Sequence, residues 1–194
     1  MTKTLILGDS ISEGFSADGK FGWVQRLAFH DPENEYVLRG VAGDTILNLI
    51  ARLDQIPPKA YDRIFVAIGI NDASYVPSRK STEVPLDQYR VGLEELLAWL
   101  TQTWPQSQII FVGLNRLDES LSAPLEPDLH YLNEYAAAYD SALHEFATQN
   151  NIPYIAVPPL NDRPGLLEDG LHPSNEGHQL LYESISQALH SQLA

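Results

Sequence analysis

A serine near one end of the chain and a histidine–aspartate pair near the other carry the chemistry this sequence could perform. Ser10 stands in Gly8-Asp9-Ser10-Ile11, directly after the apolar run Thr4-Leu5-Ile6-Leu7. A serine hydroxyl is a weak nucleophile at neutral pH and needs a base to take its proton. Histidine suits that task because its unperturbed pKa is about 6.5. Of the six histidines, His30, His130, His144 and His190 fall in helical or polar surface stretches and read as solvent-facing. His178 falls in the final helical segment and could pack near the rim that carries Ser10. His172 is the exception: it lies in a loop, followed by Pro173 and the start of the last helix, with Asp169 three residues before it. In a tight loop that spacing lets the carboxylate reach the imidazole and fix its tautomer.

A nucleophilic serine also needs donors for the oxyanion that forms during attack. Two segments offer them. In Val41-Ala42-Gly43-Asp44-Thr45 a glycine can present a bare backbone N–H, and in Gly69-Ile70-Asn71-Asp72 an asparagine can aim its side-chain amide. Each motif has an ordinary alternative: Asp169 caps a turn, Gly43 and Gly69 serve tight turns, Asp44 or Thr45 caps a helix, and Asn71 makes an Asx turn. Asp9 and Asp72 are assigned to that structural class, because a further acid beside the oxyanion would oppose catalysis. The serine motif and the Asp169/His172 motif, at opposite ends of one parallel sheet, seldom coincide by chance.

The elements that must position these residues follow from hydrophobic patterning. Strands are expected at Thr4–Leu7, Glu35–Leu38, Arg63–Ile68, Gln108–Val112 and Pro153–Ala156; several are continuous apolar runs, as for parallel strands buried on both faces. Tyr89, Leu93, Leu96, Leu97 and Leu100 share one helical face, as do Leu132, Tyr135, Ala136, Tyr139, Leu143 and Phe146. A last helix begins near Ser174, its N-cap, and turns Leu181, Ile185, Ala188 and Leu189 inward. The repeated βα order predicts an α/β fold with helices on both faces of a parallel sheet. Ser10 then follows the first strand, at the carboxyl rim where such folds place their chemistry. Two long connections, 73–86 and 114–128, follow strands and should line the same rim as pocket walls or a lid. Trp23, Trp99 and Trp104 read as core residues, and oligomeric state cannot be read from the pattern.

The 194 residues suffice for one α/β domain over the whole chain, 1–194, with no shift of composition to mark a second. Acidic residues number 26 against 12 basic, a net charge of -14. Phosphate binding needs clustered cations, so nucleic acid and anionic membrane are excluded as partners, and long-range steering favours neutral or cationic substrates. With no cysteine, a thiolate metal site, a disulfide and a cysteine nucleophile are all ruled out. No segment reads as a signal peptide or is long enough for a membrane span, which makes cytoplasmic residence the expectation.

These four blocks together resemble those of the SGNH hydrolases, also called the GDSL esterase/lipase family. The blocks are Gly8-Asp9-Ser10-Ile11-Ser12, Ala42-Gly43-Asp44, Gly69-Ile70-Asn71-Asp72 and Asp169-Gly170-Leu171-His172-Pro173, in the family's order from residue 8 to residue 173. The one departure is Ile11 where the name has leucine, a volume-conserving change. The resemblance implies a flavodoxin-like three-layer α/β/α fold with a five-stranded parallel sheet. It implies hydrolysis of esters or thioesters through an acyl-enzyme on Ser10, with His172 as base and Asp169 orienting it. The Ser10 and Gly43 N–H groups and the Asn71 amide would form the oxyanion hole, and no metal or organic cofactor is required. The implied partner is a small-molecule or lipid-like ester, with short or medium acyl chains favoured because no long apolar lid helix is evident. Tyr75, Val76 and Asn115 are candidate pocket contacts. Two other readings stay open. One is an FMN-binding electron carrier cradling a phosphate at Ser10-Ile11-Ser12-Glu13-Gly14, which Glu13 opposes and a flavin spectrum would support. The other is a catalytically silent binding module, which failure of Ser10 to react with an organophosphonate would favour.

Overall fold

Every strand of the central sheet alternates its side chains between two cores, and that alternation sets the architecture. In the computed structural model, which describes residues 1–15 and 18–192, the chain runs β1 (Lys3–Gly8), α1 (Ser10–Glu13), α2 (Trp23–His30), β2 (Glu35–Gly40), α3 (Ile46–Ala51), β3 (Arg63–Ala67), β4 (Tyr75–Val76), β5 (Ser81–Thr82), α4 (Leu86–Thr103), β6 (Gln108–Val112), α5 (Glu119–Ser122), α6 (Asn133–Gln149), β7 (Tyr154–Ile155) and α7 (Asn175–Gln192). Leu5 and Leu7 of β1, Ile64 and Val66 of β3, and Ile109 and Phe111 of β6 face one core, shared with α3, α4 and α6. Ile6, Phe65, Ile110 and Val112 face the other, shared with α2 and α7. Burial on both faces explains why these strands read as unbroken apolar runs.

The five long-range strands pair in parallel in the order β2-β1-β3-β6-β7. This is the flavodoxin-like three-layer α/β/α arrangement. The chain leaves β1 to build β2 on one side and then returns to build β3 on the other. The strand order therefore reverses at the carboxyl end of β1, and such a reversal opens a crevice there. Ser10 is the first residue after it.

The structure differs from the expected elements in three places. Residues 73–86 are not a plain loop but carry the antiparallel hairpin β4–β5, whose two-residue strands are too short to show a period. Residues 114–128 carry α5, capped by Asp118, whose Oδ1 accepts from Ser120 N at 3.1 Å. The helix α2 went unforeseen; Trp23, Val24 and Leu27 are its buried face. Trp23 and Trp104 are core residues, and Trp99 is half-buried with its ring edge-on to Trp104 at 5.2 Å.

Candidate functional site

Asp9 decides how Ser10 is presented. Its backbone is extended and its Oδ1 accepts from Ile11 N at 3.0 Å, which caps α1 and ends β1 in one residue. Ser10 is thus the first residue of a helical turn, with its N–H among the helix-start donors that have no partner within the helix. Its Oγ lies 3.0 Å from His172 Nε2. Asp9 itself is buried, and burial raises its carboxyl to about 7.

His172 is held by a local device. Asp169 Oδ2 lies 2.7 Å from His172 Nδ1, while Asp169 Oδ1 accepts from His172 N at 2.8 Å and from Leu171 N at 3.0 Å. A carboxylate at Nδ1 places the proton there and leaves Nε2 free to accept from Ser10. Burial pushes the Asp169 carboxyl up, but the His172 ring and the two backbone donors outweigh it and leave it near 2. Gly170 makes the loop possible: its φ is 84°, and a Cβ there would come within 2.3 Å of Asp118 O. Asn115 ties the same loop down, its Nδ2 donating to Leu171 O at 3.1 Å.

The opposite side of Ser10 is held by long-range bonds. Gly43 has φ 81° with open space around its Cβ position, so glycine is needed there for its left-handed backbone and not for room. Thr45 caps α3 in a reciprocal box with Asn48. Asn71 makes no Asx turn with its side chain: its Nδ2 donates to Asp44 O at 3.0 Å and its Oδ1 accepts from Tyr131 Oη at 2.8 Å. These two bonds fix which end of the amide is nitrogen, and one of the two N–H groups is left over. Asp72 accepts from Ile46 N, at the start of α3, and burial raises its carboxyl to about 7. Arg52 closes the arrangement. Its Nε donates to Asp44 Oδ2 at 2.6 Å, and its Nη2 donates to Arg39 O at 2.9 Å and Gly8 O at 3.3 Å.

The structure therefore brings Ser10, His172 and Asp169 into one hydrogen-bonded line, and couples the Gly43–Asp44 turn to Asn71. Asn115 is buried, and its amide ties the His172 loop. Tyr75 and Val76 sit on the β4–β5 hairpin, where Tyr75 stacks on Tyr135 at 5.4 Å and pairs through its backbone with His130. Sequence reasoning missed Arg52 and Tyr131, since nothing in their spacing ties them to the four blocks. His178 is fully buried and packs beneath the rim against Phe15, whose ring meets that of His172. Burial lowers its pKa to about 4, and its Nε2 bonds Phe15 O at 3.2 Å. Among the described residues, no cluster of three or more His, Asp or Glu side chains is placed to hold a metal, and no helix is long and apolar enough to cross a membrane.

A doubly wound parallel sheet carrying a serine–histidine–aspartate line at its switch point is the architecture of the SGNH class of hydrolases. The chain belongs to the GDSL-like lipase/acylhydrolase family, whose model matches residues 6–180. It is similar to a GDSL esterase/lipase of Arabidopsis thaliana, 29% identical over 96% of this chain and 85% of the relative. It is also similar to the isoamyl acetate-hydrolyzing esterase of Saccharomyces cerevisiae, 25% identical over the same shares. The fold matches the lipase/acylhydrolase of Enterococcus faecalis with a TM-score of 0.77 at 21% identity, covering 97% of this chain and 95% of that one. A G-D-S-L family protein of Desulfitobacterium hafniense matches with a TM-score of 0.77 at 20% identity, covering 97% of this chain and all of that one.

Proposed function

We propose that this protein is a serine esterase that cleaves carboxylic esters or thioesters through an acyl-enzyme on Ser10. The observation that carries this is the line Ser10 Oγ–His172 Nε2–Nδ1–Asp169 Oδ2, at 3.0 and 2.7 Å. His172 takes the Ser10 proton as the oxygen attacks the acyl carbonyl. The carbonyl oxygen becomes an oxyanion held by Ser10 N–H, Gly43 N–H and the second N–H of Asn71. On collapse, His172 Nε2 gives its proton to the departing alcohol or thiol. A water then enters, loses a proton to His172 and attacks the acyl carbon, releasing the acid and restoring Ser10. Asp169, charged down to about pH 2, offsets the imidazolium and holds its orientation.

The acyl group is proposed to be short or medium, with Tyr75, Val76 and Asn115 bounding it. In support, the segments that could cover the rim are tied down. The hairpin is fastened through His130 and through Thr82 Oγ1, 2.7 Å from Tyr139 Oη, and 114–128 is fastened through Asp118 N donating to Gly170 O at 2.9 Å. The test is a panel of nitrophenyl esters and thioesters of rising acyl length, run on the wild type and Ser10→Ala. Turnover that peaks at short or medium chain length and vanishes in Ser10→Ala is expected; equal turnover in both proteins refutes the assignment.

A further inference from the structure

Beside His172 lies an aromatic ring that the acyl-transfer steps do not use. Phe15 follows α1, its N–H donating to Ser10 O at 3.0 Å. Its ring packs on the His172 ring with centroids 4.4 Å apart and planes at 46°. The side chain is nevertheless 43% exposed, so the ring covers the imidazole on one side and offers apolar surface to solvent on the other. Its position is set from beneath by His178, which is 0% exposed. His178 Nδ1 accepts from Trp23 N at 3.4 Å and its Nε2 donates to Phe15 O at 3.2 Å. One neutral imidazole thereby holds both ends of the connection between α1 and α2.

We propose that Phe15 is the platform for the alcohol portion of the ester, and that His178 is the positioning residue that keeps it there. The proposal rests on the esterase assignment and follows from where the leaving group must go. To be protonated, its oxygen must come within hydrogen-bond reach of His172 Nε2. The proposed oxyanion donors Gly43 and Asn71 are joined through Asp44 at the turn before α3, and α3 packs on the opposite face of the sheet from α2 and α7, so the substituent on the leaving oxygen extends along the imidazole. The Phe15 ring is what it meets there. A flat hydrocarbon surface with no donor or acceptor rewards apolar area, about two- to four-fold in rate per methylene covered. The favoured substrates are esters of neutral, apolar alcohols, alkyl or aryl.

Two ester series separate this inference from the assignment beneath it: acetates of alcohols from ethyl to hexyl, and ethyl esters of acids from acetic to hexanoic. In the wild type, kcat/KM is expected to climb along the alcohol series. Phe15→Ala flattens that climb while keeping the slope of the acyl series, and Phe15→Leu keeps part of it. His178→Ala flattens the alcohol series in the same sense, with its melting curve confirming a folded protein, and adds nothing further in a Phe15→Ala background. An alcohol slope unchanged in Phe15→Ala, or both slopes falling together, overturns the platform. So does a preference for acetylcholine over its neutral isostere 3,3-dimethylbutyl acetate, which would make the ring a cation site. A wild type without ester turnover takes down the esterase assignment together with the platform; an active wild type with an unchanged slope removes the platform alone.

Discussion

The two flanks of Ser10 are built on different principles. On the His172 flank, one carboxylate three residues before the ring makes three bonds, to Leu171 N, His172 N and His172 Nδ1, and Asp169 keeps a side-chain exposure of 35%. On the Asn71 flank, the positioning groups come from far along the chain. Asp44 O is bonded by Asn71, 27 residues away, and Asn71 is bonded by Tyr131, 60 residues further on. Arg52 reaches Gly8 O across 44 residues. The base is thus oriented by a carboxylate from its own loop, which Asn115 and Asp118 N fasten through Leu171 O and Gly170 O, whereas the proposed oxyanion donors are positioned only by partners far along the chain. Damage to the Asp169 carboxylate should therefore cost more activity than stability, and damage to the second flank should cost both.

Asp169→Asn puts the largest strain on that contrast. Losing the carboxylate that fixes the His172 tautomer should lower kcat by up to about 10⁴-fold. Because its carboxyl is held near 2 in the folded chain, the charge also supports the fold above pH ~4, so the melting temperature should fall modestly at neutral pH, with the deficit shrinking as the pH drops toward 2. A loss of stability with kcat unchanged would show that Asp169 serves the loop and not the base. Asn71→Ala removes one proposed oxyanion donor and should cost about 10²–10³-fold in kcat, or ~2.7–4 kcal/mol of barrier. It should also loosen Asp44 and lower the melting temperature; unchanged turnover would refute the donor assignment.

Arg52→Met leaves Asp44 nearly buried and unpaired, since the two side chains are only 15% and 10% exposed. Breaking such a pair costs about 3–5 kcal/mol, which for a chain of this length lowers the melting temperature by on the order of 10 °C. A thermal melt with no shift would remove Arg52 from the scaffold of the oxyanion turn.

The smallest effect concerns pH. Asp72 holds its proton to about pH 7 in the folded chain because it is buried, but releases it near pH ~3.9 when unfolded. A raised folded-state pKa gives stability that is fully present below about pH 4 and lost as pH rises through 7. Asp72→Asn still accepts from Ile46 N without titrating. Its melting temperature should gain on the wild type from pH 5 to pH 8; a gap that does not widen over that range would contradict a buried, protonatable Asp72.

What was legible in the sequence divides along the same line. The sheet strands could be read because Leu5, Ile6 and Leu7, or Ile109, Ile110 and Phe111, are buried on both faces and so leave a continuous apolar signal. Asp169 and His172 could be read because their bonds span three residues, and spacing is visible in a sequence. Arg52 and Tyr131 could not, because their partners are adjacent only after the sheet has formed. The β4–β5 hairpin escaped because its strands are two residues long. His178 carried a signal of a different kind: a histidine on the inward face of α7 is costly unless both its nitrogens are used, and here they are.

The most direct test of the acyl-enzyme is intact-mass spectrometry after treatment with a fluorophosphonate, followed by peptide mapping. One phosphonyl group per chain on Ser10, with ester turnover falling in step and no labelling of Ser10→Ala, is the predicted result. Complete loss of activity with Ser10 unmodified, or full activity with Ser10 modified, would contradict it.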